Sequence, residues 1–191
     1  MKIKYANYKG ETYYLHKGRP KKGSSQYFFS KKEEGEPIEA IPKGYEIYEN
    51  PNGRVFLRKF APRKITQEEV SIIENGIRQL AKLRDYKIDA KGKTITIFLP
   101  DQEMDDLKRY FGSLSPINRS LLDESLKNIL TYSPMMRFIL IAEEGRKFRV
   151  ERAHFADAQD GWIPLDGSND LPKLVRKYCR HLGKDSFYNL I

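Results

Sequence analysis

Residues 65–99, ITQEEVSIIENGIRQLAKLRDYKIDAKGKTITIFL, decide how this chain is read. Thr66 followed three residues later by Glu69 has the form of a capping box, and Ile65 before the cap can staple onto Val70. Val70, Ile73, Ile77, Leu80 and Ala81 then recur at helical spacing, which predicts an amphipathic helix over residues 67–83. Gly76 weakens it, because glycine is a poor helix former. The period then falls to two. Residues 86–90 and 94–99 flank Lys91-Gly92-Lys93, and Ile95, Ile97 and Leu99 alternate, so a β-hairpin follows the helix. One helix set against antiparallel strands implies an α+β fold.

Downstream, Pro100 ends the strand and Asp101 can cap a helix through Phe111, with Met104, Leu107 and Phe111 inward. Ser115-Pro116 reads as a cap with proline at the first helical position, opening a helix to about Leu130. Leu121, Leu122, Leu126 and Ile129 would form its apolar side. Residues 135–142 and 147–154 form a second hairpin across Glu143-Glu144-Gly145-Arg146. Phe138 and Leu140 alternate with Ile139 and Ile141, so both faces of its first strand are candidates for cover. Charged Arg149, Glu151 and Arg152 suggest that its second strand has a wet face. Residues 156–161 read as a loop, and Trp162-Ile163-Pro164-Leu165 as a short apolar anchor. Asn169 or Asp170 caps a last helix, which Gly183 ends.

Upstream of residue 63 the chain reads as a β-rich portion of three to four short strands. Residues 12–16 and 26–30 flank Arg19-Pro20-Lys21-Lys22-Gly23-Ser24-Ser25 as a hairpin with a basic tip. Residues 45–49 and 54–59 pair across Asn50-Pro51-Asn52-Gly53, where Asn-Gly tolerates positive φ. Composition, charge and period all change near residues 60–64. The expected organisation is therefore residues 1–62, basic and β-rich, then residues 63–191: helix, hairpin, two helices, hairpin and C-terminal helix. The expectation overall is antiparallel hairpins covered by amphipathic helices.

The charge is as uneven as the pattern. The 191 residues carry 35 Lys and Arg against 26 Asp and Glu, a net charge of +9. Residues 2–32 hold nine of the cations against the single acid Glu11, which leaves only +1 for everything after them. Tyr5, Tyr8, Tyr13, Tyr14, Tyr27, Phe28 and Phe29 are interleaved with those cations. A local excess of this kind is how a polyanion footprint looks, since lysine and arginine neutralise phosphates and release counterions. The candidate contacts are Lys17, Arg19, Lys21 and Lys22 at the hairpin tip, with Lys31 and Lys32 nearby. Alternation also places Tyr13, Leu15, Tyr27 and Phe29 on one inner face with the lysines solvated outside. The two readings are compatible, because phosphates need only the cations. Nucleic acid is the first candidate partner, and an acidic protein the alternative.

Catalytic and metal chemistry find little support. His16, His154 and His181 have no second ligand at a metal-binding spacing, and Cys179 and His181 diverge on a helix. No metal, cofactor or catalytic residue is therefore assigned. A third reading is an enzyme with a site near His154, where a strand end meets an acidic loop holding Asp157 and Asp160. The acids at 101–106 and 33–36 lack calcium-loop spacing, and no phosphate-loop pattern occurs. The single cysteine excludes disulfides and suits a reducing cytoplasm. The start MKIKYANYKGE has no apolar run after it, and residues 135–142 are too few to span a bilayer. A soluble cytoplasmic protein with no membrane partner is expected. Finally, KGYEIYENPNGRVFLRK (residues 43–59) and HLGKDSFYNL (residues 181–190) resemble stretches of an uncharacterised bacterial and archaeal protein family. That resemblance implies no activity.

Overall fold

The change of period at Ile65 lies next to a division of the chain into two compact units, Met1–Ala61 and Pro62–Ile191. The structure is a computed structural model; it describes residues 2–21, 24–35, 38–102, 104–112, 125–126, 128–155 and 161–191. Among them are ten strands, all paired antiparallel, in three sheets with helices, an α+β fold.

The first unit holds five strands rather than three to four. Strands β1 (Lys4–Ala6), β2 (Thr12–Lys21) and β3 (Ser24–Ser30) form one sheet in that order, and β4 (Tyr45–Glu49) pairs with β5 (Val55–Lys59). The β2–β3 hairpin is longer than its β-prone runs suggest, because pairing continues past a register shift to Lys21 opposite Ser24. The β4–β5 loop closes as Asn-Gly chemistry dictates. Asn50 Oδ1 accepts from the Asn52 and Arg54 amides, and Gly53 takes φ 79°. Asn7, almost fully buried, ties this loop down by donating from Nδ2 to the Gly53 carbonyl at 2.7 Å. Leu15 and Val55 are the unit's buried apolar side chains among the described residues. So small a core depends on such polar ties.

In the second unit the strands β6 (Lys87–Lys91), β7 (Thr94–Pro100), β8 (Tyr132–Ala142), β9 (Lys147–His154) and β10 (Gly161–Ser168) form one sheet, ordered β10-β9-β8-β7-β6. Ile95, Ile97, Met136, Phe138, Leu140, Phe148 and Val150 line one face. Helix α1 (Gln67–Gly76) and helix α3 (Leu171–Tyr178) cover that face with Ile73, Leu174 and Val175; helix α2 (Met104–Gly112) lies between β7 and β8 in sequence. Burying each such side chain contributes about 1.5–3 kcal/mol.

The capping box forms as the sequence requires: Thr66 Oγ1 accepts from the Glu69 amide at 3.2 Å, and Glu69 Oε2 accepts from the Thr66 amide at 2.9 Å. Glu69 is also gripped by both Nε and Nη2 of Arg146, at 2.8 and 2.6 Å. That bidentate pair accompanies a left-handed backbone at Arg146. The helix changes character at its end. Ile77–Ala81 is a π-helical turn, closed by the Lys82 amide on the Ile77 carbonyl. The extra residue per turn keeps Ile77 and Ala81, four apart, on the buried side.

Several expectations need correction. One face of β8 is fully buried, with Met136, Phe138 and Leu140, while the other is only partly covered: Met135, Arg137 and Ile139 are half-buried and Ile141 is exposed. The charged strand β9 is wet only at its start. Glu151 and Arg152 are buried because each finds partners far off in sequence, Glu151 in Arg137 and Arg152 in the carbonyls of Tyr188 and Leu190. The Asp101 carboxylate accepts from Thr131 Oγ1 at 2.6 Å; α2 is described from Met104, and Glu103, which joins it to Asp101, lies outside the described residues. Ile129 is exposed, while its neighbours Leu126 and Leu130 are buried. The Ser115-Pro116 cap, Leu121 and Leu122 lie outside the described residues. Trp162 to Leu165 belongs to a full edge strand, β10. Asp170 caps α3, accepting from the Lys173 amide at 2.8 Å.

Candidate polyanion interface

Register divides the side chains of the first sheet between two faces. Leu15 pairs with Phe29, Lys17 with Tyr27 and Tyr5 with Tyr13, so these six share the inner face. That face meets the β4–β5 hairpin. The Tyr27 ring lies edge-on to Tyr45 at 6.4 Å, and the Tyr5 hydroxyl donates to Glu49 at 3.0 Å. The Glu49 carboxylate raises the Tyr5 pKa, because a hydroxyl that donates to an anion holds its proton. On the outer face Lys4 pairs with Tyr14, Tyr14 with Ser30, and His16 with Phe28.

The predicted cations divide accordingly. Lys17 is exposed on the inner row, beyond the point where Leu15 is buried. Arg19 and Lys21 lie on the far reach of β2, and Lys22 is outside the described residues. Lys31 is already engaged. Its Nζ is 2.6 Å from Glu11 and 5.8 Å from the centre of the Tyr13 ring. Lys31 and then Asn7 hold the Glu11 carboxyl below the ordinary range, while Glu11 raises the lysine. Lys32 is exposed, and its carbonyl accepts from His16 Nε2 at 2.8 Å, which fixes the histidine proton on that nitrogen. Lys2 reaches Glu33 at 3.5 Å. Among the described residues Lys4, Lys17 and Lys32 make no ion pair. Lys4 is not among the cations expected from the sequence; its place on the outer face follows from the pairing of β1 with β2.

The histidines are accounted for differently. His16 is buried in the first unit, stacked on Phe28 and closed over by Gly35, where a Cβ would come within 2.6 Å of Nδ1. His154 ends β9 opposite Gly161, and the acids Asp157 and Asp160 lie outside the described residues. Among the described residues no carboxylate bonds to it. His181 Nε2 accepts from Arg180 Nε at 3.2 Å, so Nδ1 carries the proton and donates to Ser186 Oγ at 2.9 Å. Burial, then Arg180 and Lys184, lower its pKa. A histidine donating to a serine cannot remove that serine's proton, so the pair is no nucleophile and base.

Elsewhere in the second unit, Glu151 is clamped by Arg137 and Arg149, with Arg137 stacked on Trp162 at 4.1 Å. Sequence reasoning missed this cluster, whose three strands meet only through sheet register. Its one carboxylate is held by two guanidiniums, which leaves no group poised for chemistry. A cleft of about 450 Å³ at the end of the sheet is lined by Leu99, Asp101, Met135, Phe155, Lys184 and Phe187, among others. Two of its charged groups are engaged, Asp101 by Thr131 and Lys184 by the Arg180 carbonyl. Among the described residues no three His, Cys, Asp or Glu side chains converge as metal ligands, and no helix is long and apolar enough to cross a membrane. No protein-family model matches the chain, and neither a curated protein nor a solved structure is detectably similar to it.

Proposed function

We propose that the first unit is a non-catalytic module that binds a polyanion, with nucleic acid as the partner, in the cytoplasm. The observation that carries this is charge: residues 2–32 hold nine cations against one acid, and five of those cations crowd into residues 17–32 beyond Lys31. Self-repulsion among them opposes folding mildly, and a bound polyanion relieves it. Lys17, Arg19, Lys21, Lys22 and Lys32 would contact phosphates. Lys31 would contribute less, since Glu11 already neutralises it.

The test is an anisotropy titration of labelled DNA and RNA at several salt concentrations. It compares the wild type with a variant carrying Lys17, Arg19, Lys21 and Lys22 all replaced by Gln. The variant should bind every sequence more weakly. Its plot of log affinity against log salt should flatten by about 0.9 for each duplex phosphate that is no longer neutralised, or about 0.7 on a single strand. Binding should also raise the wild-type melting temperature. A wild type that binds neither DNA nor RNA at low salt refutes the proposal and leaves an acidic protein as the partner.

A further inference from the structure

Phe28 is half exposed on the outer face of β3, yet it is held in place. Its ring stacks on His16 at 5.5 Å between centroids with the planes 28° apart. His16 itself cannot turn: it is buried, Nε2 is bonded to the Lys32 carbonyl, and Gly35 closes over Nδ1. The arrangement is a layered pair of flat groups, the inner one locked and the outer one in water. Lys4 is exposed on the same face, and Lys32 is exposed in the segment that follows β3. Lys4 sits two pairs along the register, in the row Lys4–Tyr14–Ser30, and Lys32 adjoins His16 through its main chain. An exposed ring braced on a buried one, on the same sheet face as an exposed lysine, is a surface on which a nucleobase can stack.

We propose that the polyanion is single-stranded nucleic acid, with an unpaired base stacked on Phe28 and its phosphates on Lys4 and Lys32; this rests on the polyanion reading above. A duplex hides its base faces within its own stack, so the ring discriminates between the two forms. Phe56 offers an internal comparison. It is exposed to a similar degree and stacks on Tyr48 at 6.4 Å, but on the outer side of β4–β5, beside the Arg58–Glu46 pair. The inner faces of the two sheets meet, so Phe56 points away from Phe28, and from Lys4 with it.

The experiment titrates wild type, Phe28→Leu and Phe56→Leu against a labelled 20-nucleotide single strand, as DNA and as RNA, a 20-base-pair duplex, and heparin. Leucine preserves the apolar cover over His16, and melting curves verify that each variant is folded. The wild type should bind the single strand more tightly per phosphate than the duplex. Phe28→Leu should lose about 5- to 150-fold on the single strand, the range for one stacked base, with the salt slope and the duplex and heparin affinities unchanged. Phe56→Leu should match the wild type. Equal affinity for duplex and single strand, or a Phe28→Leu curve that overlays the wild type, overturns the inference while leaving polyanion binding intact. So does an equal loss in Phe56→Leu. Binding to heparin alone overturns it as well, and binding to none of the probes removes both readings.

Discussion

Gly76→Ala should destabilise the protein, although helix propensity argues for the opposite sign. In an exposed helix the change gains about 1 kcal/mol. Here a Cβ at Gly76 would stand 2.0 Å from Val175 Cγ1, and Val175 is itself buried in α3. A normal contact needs about 3.5–4 Å, so the two helices must separate or Val175 must leave its rotamer. Overpacking of this kind costs about 1–3 kcal/mol; a clash this deep belongs at the upper end, and the net loss is about 2 kcal/mol. The second unit has about 130 residues, so its unfolding entropy lowers the melting temperature by about 7 °C for that loss. Thermal melts followed by circular dichroism provide the assay, with Val175→Ala and the double variant completing a cycle. The double variant should be more stable than the two single losses add up to, by about 3 kcal/mol, because without the clashing methyls Gly76→Ala gains about 1 kcal/mol instead of losing about 2. A melting temperature that rises in Gly76→Ala, or a cycle that adds without coupling, would refute the packing argument.

Thr66→Ala should cost about 1 kcal/mol, the usual loss of an N-cap, with no further penalty because Glu69 keeps its bond to Arg146; an unchanged urea midpoint would mean that the capping box stabilises nothing. Asp166 is held below its ordinary pKa by Lys177 first, then the Gly167 amide and the Tyr178 hydroxyl. A depressed folded pKa stabilises above the unfolded value of about 3.9 and is lost as the pH falls through the folded one. Asp166→Asn should therefore melt below wild type at pH 7, with the gap closing in more acidic buffer; a gap independent of pH would count against the ion pair.

What was legible in the sequence was local. The capping box, the Asn-Gly turn and the Lys91-Gly92-Lys93 hairpin are each complete within a few residues, so their chemistry is written in order. Strand β10 was not legible, because Pro164 argues against a strand. The sheet accommodates it at an edge beside the register shift at Leu165, where a missing amide costs little. The burial of Glu151 and Arg152 was equally hidden, since their partners lie 14 and 38 residues away. For the candidate interface, alternation separates Phe28 from Phe29, but nothing local says that residues 32–35 fold over His16. Nor does it say that Glu11 removes Lys31 from the free cations.

Arg152 gives the segment 188–190 a part in the electrostatics of the sheet. Its guanidinium is buried among β-strands with no carboxylate bonded to it among the described residues; Nε and Nη2 donate to the carbonyls of Leu190 and Tyr188, and Nη1 to that of Ala153. A buried cation left bare costs several kcal/mol, so these last carbonyls act as its hydration shell, made of peptide rather than water. Removing residues 188–190 would strip that shell from the guanidinium. Water would then have to enter the sheet, or β9 would have to open to let the charge out. That segment is short, yet it is in effect the solvent for a charge in the interior.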